Sequence, residues 1–181
     1  MHKFSKGNST ELTKKIELMI KIITRTDSYL NSANTKSTIL LSLASALIVS
    51  LSINFDKIIV LVKLSADKVF LSILVSIILF LLIASVIFSL RGITPFIKTS
   101  KNSNTFSFVD IALNYTELSD YKKQFSAVSD LELLNQLIAL NHNLSKALVD
   151  KYKRQITAIT FLESAAYVLG FSIFIIILSN C

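Results

Sequence analysis

VFLSILVSIILFLLIASVIFSL, residues Val69 to Leu90, runs for 22 positions without a charge, a glycine or a proline. A helix of ~20 apolar residues crosses the ~30 Å hydrocarbon core of a bilayer. Only helices and closed barrels satisfy their backbone groups there, and this run lacks the alternation of a barrel strand. It is read as a transmembrane helix. Working outward, two more apolar segments qualify, at residues 37–55 and 156–179. The expected fold is an all-α membrane protein with three transmembrane helices. A cytoplasmic helix (residues 1–36) precedes the first span, a periplasmic loop (56–68) joins spans one and two, and a cytoplasmic helical region (91–155) joins spans two and three.

Charge sets the expected orientation. Seven Lys and Arg precede the first span, three lie in the loop after it, nine fall between Arg91 and the third span, and none follows. Lys and Arg concentrate on the cytoplasmic side. The N-terminus is therefore expected inside and the C-terminus outside. The chain carries a net charge of +7 but shows no basic patch interleaved with stacking aromatics, so no nucleic-acid partner is expected. Its 181 residues include three Gly, one Pro and one Cys, which favours long helices and rules out an internal disulfide. The first strongly apolar run starts near Thr38, too far from Met1 for a signal peptide, and reads as an internal anchor.

Two capping boxes mark expected helix starts, Asn8 with Glu11 and Ser129 with Glu132. After the first, Leu12, Ile16, Met19, Ile20, Ile23 and Leu30 share a helical face. That face either packs within the cytoplasmic region or lies on the inner leaflet. After the second, Leu133, Leu137, Leu140, Leu144 and Leu148 form a packing stripe, and the helix is expected to run on into the third span. Between them, Lys98 to Asn104 reads as a polar loop, Thr105 to Val109 as a short extended piece, and Asn114 to Phe125 as a short helix. The stretch Arg25 to Lys36 is polar. It is either an interfacial segment whose cations snorkel or part of a ligand pocket. Lys151 to Arg154 forms a basic collar before the third span.

In the first span Thr38, Ser42, Ala46, Ser50 and Asn54 recur every fourth residue. Small and hydroxyl residues at that spacing let membrane helices approach closely, within a protomer or between protomers. In the third span Ala166 and Gly170 repeat the pattern, and Glu163 is a carboxylate that is either intramembrane or interfacial. There is no Ser/His/Asp or Cys/His arrangement, phosphate loop or metal-spaced cluster; His2 and His142 are isolated. No enzyme, cofactor or metal is expected.

Four segments resemble the Pycsar effector transmembrane family (PycTM) of bacterial antiphage defence: DSYLNSANTKSTILL (Asp27 to Leu41), RGITPF (91–96), FVDIA (108–112) and LLNQLIALNHNLSKALVDKYKRQITAI (Leu133 to Ile159). The resemblance implies an effector that senses a cyclic pyrimidine mononucleotide, cCMP or cUMP, made by a partner cyclase. It then impairs the inner membrane, with growth arrest or cell death, as a homo-oligomer. On that footing Arg25, Asp27, Asn34, Lys36, Gln136, Asn143, Lys151 and Tyr152 are the candidate ligand residues. Cations would meet the phosphate, Tyr152 the base face, and amides the base edge. Thr38, Ser42, Ala46, Ser50, Asn54 and Glu163 are the candidate packing or pore residues. A constitutive scaffold and a holin-like toxin without a ligand stay open beside this reading.

Overall fold

A computed structural model describes residues 3–95 and 104–180, with side chains from Thr10 onward. Those residues form six helices: α1 (Lys3–Ile53), α2 (Phe55–Ile59), α3 (Ser65–Ile93), α4 (Phe108–Asn114), α5 (Leu118–Ala127) and α6 (Asp130–Asn180). No strand occurs among the described residues, and α1, α3 and α6 are each long and apolar enough to cross a membrane. The all-helical expectation is met, with three helices able to serve as the expected spans.

Local readings fared unevenly. Ser129 does cap α6: the Glu132 backbone N–H donates to its Oγ at 3.3 Å. Glu132 does not complete the box, because its carboxylate accepts from Gln136 Nε2 at 3.5 Å, one turn on. Helix α1 already begins at Lys3, ahead of the start expected at Asn8, whose side chain lies outside the described residues. The extended piece expected at Thr105 to Val109 is instead a turn followed by the first residues of α4. The alternation of Phe106 and Phe108 with polar neighbours reflects a capped turn, in which Ser107 Oγ accepts from the Asp110 N–H at 3.4 Å. The helix expected over Asn114 to Phe125 is split: α4 ends at Asn114, and α5 covers Leu118 onward. Of the loop expected over Lys98 to Asn104 only Asn104 is among the described residues, and Cys181 is not.

The three long helices share one packing rule. On α1 the 4-3 repeat Leu12, Ile16, Met19, Ile23, Thr26, Leu30, Ala33, Ser37, Leu40, Ala44, Leu47, Leu51 is buried or half-buried at every step. On α3 the same repeat runs Leu71, Val75, Ile78, Leu82, Ser85, Ser89, Gly92, all buried. On α6 it runs from Leu137 through Asn141, Leu144, Leu148, Lys151, Gln155, Ala158 and Leu162 to Ala165. A seven-residue repeat keeps one seam facing a neighbour, as in coiled coils. Ile20 falls off that seam and is half exposed, although the 3.6-residue reading placed it on the apolar face.

The chain divides into two compact units. The loop-bearing unit holds Met1–Asn31 and Pro95–Val149, and the span unit holds Ser32–Thr94 and Asp150–Cys181. In the span unit Ala44, Ile78, Leu82 and Ala165 form one core, in which a small residue of α1 and one of α6 pack against large residues of α3. Val62, Leu71 and Val75 form a second core, with Ile58 and Ile176 against it. The loop expected over 56–68 thus contributes α2 and drives Val62 into the bundle. At the other end of the unit α1 and α3 touch: a Cβ on Gly92 would lie 2.8 Å from Ser37 Oγ. Hydroxyls inside the apolar helices mostly turn back on their own backbone, as in Ser76 to the Ser72 carbonyl at 2.8 Å. Ser85 instead crosses to the Ala158 carbonyl at 2.9 Å.

Candidate ligand cavity and the Lys151 cluster

The loop-bearing unit is assembled around Gln136. Its Oε1 accepts from the Thr105 backbone N–H at 3.0 Å and from Thr105 Oγ1 at 2.7 Å. Its backbone carbonyl accepts from Asn104 Nδ2 at 2.8 Å, and Asn104 Oδ1 accepts from the Phe106 N–H. Asn104 and Thr105 are almost fully buried, so each polar atom needs such a partner. Helix α5 closes over the turn. Tyr121 donates its hydroxyl to the Thr105 carbonyl at 3.0 Å, and its ring meets Tyr115 and Phe125 at 5.4 and 6.0 Å. Thr26 of α1 donates to Asn141 of α6 at 3.1 Å.

Between these pieces lies a cavity of about 210 Å³. Ile23 and Asp27 of α1, Phe106 to Val109, and Leu140, Asn143 and Leu144 of α6 line it. Its walls are apolar, and its polar groups are Asp27, Ser107 and Asn143. Drug-sized ligand pockets begin at ~300 Å³. This cavity is therefore sized for one flat ring or a small polar fragment. Fully buried Asp110 follows Val109 at the start of α4. Lys146 lies one turn beyond Asn143 on α6, exposed and without a hydrogen bond or ion pair among the described residues.

The span unit holds a second polar cluster. Lys151 is 7% exposed. Its ammonium donates to Asn34 Oδ1 at 2.9 Å and to the carbonyls of Gly92, Ile93 and Thr94 at 2.7, 3.3 and 3.1 Å. Arg154 Nη1 donates to the Arg91 carbonyl at 2.6 Å, and the Thr94 N–H and hydroxyl both reach the Leu90 carbonyl. The last four carbonyls of a helix have no intrahelical partner and carry partial negative charge. Here all four, Leu90 to Ile93, are filled, two of them by one buried ammonium. Burial, and secondarily the nearby Arg154 charge, hold the Lys151 ammonium below the usual lysine range.

The eight expected ligand residues thus fall into separate places. Asp27 and Asn143 line one cavity, and Asn34 and Lys151 bond each other. Gln136 is engaged with the Asn104–Thr105 turn. Arg25 is exposed and turned to Tyr29, with Nε 2.9 Å from its hydroxyl and the guanidinium 5.5 Å above its ring. Lys36 is exposed and Tyr152 half-buried. Sequence reading passed over Phe106, Ser107 and Lys146. Only the short spacing of Lys146 from Asn143 offered a hint; the turn gave none. Of the packing candidates, Thr38, Ser42, Ala46 and Ser50 are exposed and Asn54 is half-buried. The face of α1 that packs within the protomer carries Ala33, Ser37 and Ala44 instead.

These features define a class: a helical membrane protein whose long helices carry an apolar three-helix bundle and, in a separate unit, a small cavity with polar groups. Over residues 18–178 the chain matches the Pycsar effector protein domain, PycTM, and it belongs to that family. It is a Pycsar effector transmembrane protein of antiphage defence. No curated protein and no solved structure matches it.

Proposed function

We propose that this chain senses a cyclic pyrimidine mononucleotide, cCMP or cUMP, made by a partner cyclase, and in response impairs the bacterial inner membrane, arresting or killing the infected cell. The loop-bearing unit faces the cytoplasm and the C-terminus the periplasm, as the Lys and Arg distribution favours. The observation that carries the reading is the cavity shared by Asp27 and Asn143 in a member of this family. A single pyrimidine ring suits its size. The Asp27 carboxylate accepts from a ring or exocyclic N–H, the Asn143 amide can donate to a ring oxygen or nitrogen, and Phe106 supplies an apolar wall. Lys146 is the nearest cation along α6 for the cyclic phosphate. Because α1 and α6 line the cavity and also continue as spans, a ligand there acts on helices that reach the membrane.

Liposome dye leakage tests this. Leakage that depends on added cCMP or cUMP, and that is lost in Asp27→Ala/Asn143→Ala, is the expected result. Leakage without nucleotide would favour a holin-like toxin. No leakage under any condition would favour a constitutive inner-membrane scaffold.

A further inference from the structure

Glu163 lies near the middle of the span unit. Along α6 the unit is tied at two levels: Lys151 to the end of α3, and Ser179, whose hydroxyl donates to Asp67 near the start of α3 at 2.8 Å. The midpoint between the ties is residue 165, two residues from Glu163. At 1.5 Å per residue that is ~3 Å from the centre of the apolar layer. That spacing favours the intramembrane reading of Glu163 over the interfacial one. The side chain is exposed on the protomer, and it makes no hydrogen bond or ion pair among the described residues. A carboxylate facing hydrocarbon at mid-depth is among the most costly placements in a membrane protein, and such residues turn to protein or to water.

We infer that the α6 face bearing Glu163 is covered by α1 of a second copy of this chain. Depth and chemistry select that occupant. Asn34 of α1 and Lys151 of α6 are bonded at a separation of 117 positions, which sets Glu163 level with Ala46. Ala46 sits at the centre of the exposed stripe Ser42–Ala46–Ser50. Rotation about an axis along the membrane normal preserves depth, so a neighbouring copy brings that stripe to the level of Glu163. Ala46 permits close approach, while Ser42 and Ser50, one turn to either side, supply hydroxyl donors to a carboxylate that only accepts. A groove of about 400 Å³, bounded by Ser50 of α1 and Ala166 of α6, stands open beside both faces to take a partner side chain. A two-fold contact of α6 on α6 would instead oppose two carboxylates. The α1-to-α6 contact is head-to-tail, and such contacts build a ring where the rotation closes. This inference does not depend on the nucleotide.

The test uses full-length protein in phosphatidylethanolamine/phosphatidylglycerol vesicles, on a Cys181→Ser background. One tagged chain carries Ala46→Cys and a second chain Thr160→Cys. Oxidation is expected to yield a mixed dimer, with little product from either chain alone. Glu163→Leu in the Thr160→Cys chain is expected to cut the mixed product roughly tenfold, the equivalent of one membrane hydrogen-bond pair, while Glu163→Gln keeps most of it. Equal cross-linking by Thr160→Cys alone, no product from membrane-inserted protein, or a yield indifferent to Glu163→Leu would overturn the inference.

Discussion

The two units are held together by different physics. In the loop-bearing unit, buried polar groups are matched one by one: Asn104, Thr105, Gln136 and Tyr121 lock a turn onto α6 and α5. In the span unit, small side chains of α1 and α6 let them close on α3, and most polar atoms stay within their own helix. Ser85, Arg154 and Ser179 do bond across helices, and Lys151 departs furthest from either pattern. It is a buried cation in a largely apolar bundle, and it fills carbonyls that the helix cannot fill itself. The comparison teaches that water decides the design. Where water competes, order needs specific polar pairs; where lipid surrounds, close packing suffices and a single unfilled helix end becomes the costly defect.

Breaking that exception is expected to have the largest effect. Lys151→Ala strands three carbonyls and Asn34, and should cost about 3 kcal/mol of stability, read by unfolding in detergent micelles. In the loop-bearing unit, Gln136→Ala leaves the Thr105 N–H and hydroxyl unmatched, at about 2 kcal/mol. Hydrogen exchange should show its protection loss confined to residues 104–127 and the facing turn of α6. Gly92→Ala presses a methyl on Ser37 at close range and should cost about 1.5 kcal/mol. Pairing it with Ser37→Ala should recover much of that, which a double-mutant cycle measures. Ser129→Ala removes the α6 cap for about 1 kcal/mol and frays only the first turn.

The smallest effect is on pH. Lys151 has its pKa lowered in the fold, so between that value and the ordinary 10.5 the unfolded chain holds more of the proton. Stability therefore rises with pH through that alkaline window. Thermal midpoints of wild type against Lys151→Met, compared from neutral to alkaline pH, should draw further apart as pH increases, because only wild type gains. If the gap narrows, burial is not what sets this ammonium.

Much of this was legible before any coordinates. Apolar runs of sufficient length can only be helices in lipid, so Val69 to Leu90 and its two companions declared the class. Ser129 declared a helix start because an exposed hydroxyl before a periodic run has few other uses. The family was readable too, from scattered polar segments now matched over residues 18–178. What stayed hidden were choices between equivalent faces. Periodicity near 3.6 could not show that a 3.5 repeat selects the buried seam, so Ile20 was put inside and Ala33, Ser37 and Ala44 went unnoticed. A small residue reads the same on either face, and only the packed bundle shows Ser42, Ala46 and Ser50 turned outward.

Sequence by itself settled the material: three lipid-length helices, a basic polar remainder and membership in a family. Tertiary structure decided who meets whom. It turned Gln136 from a ligand candidate into the bracket of a turn, joined Asp27 to Asn143 across more than a hundred residues, and gave Lys151 to the end of α3. The reason is that composition and period report how far a segment wants to be from water, a local property. The partner of a polar group depends on which distant backbone ends beside it, and that is fixed only once the helices have packed.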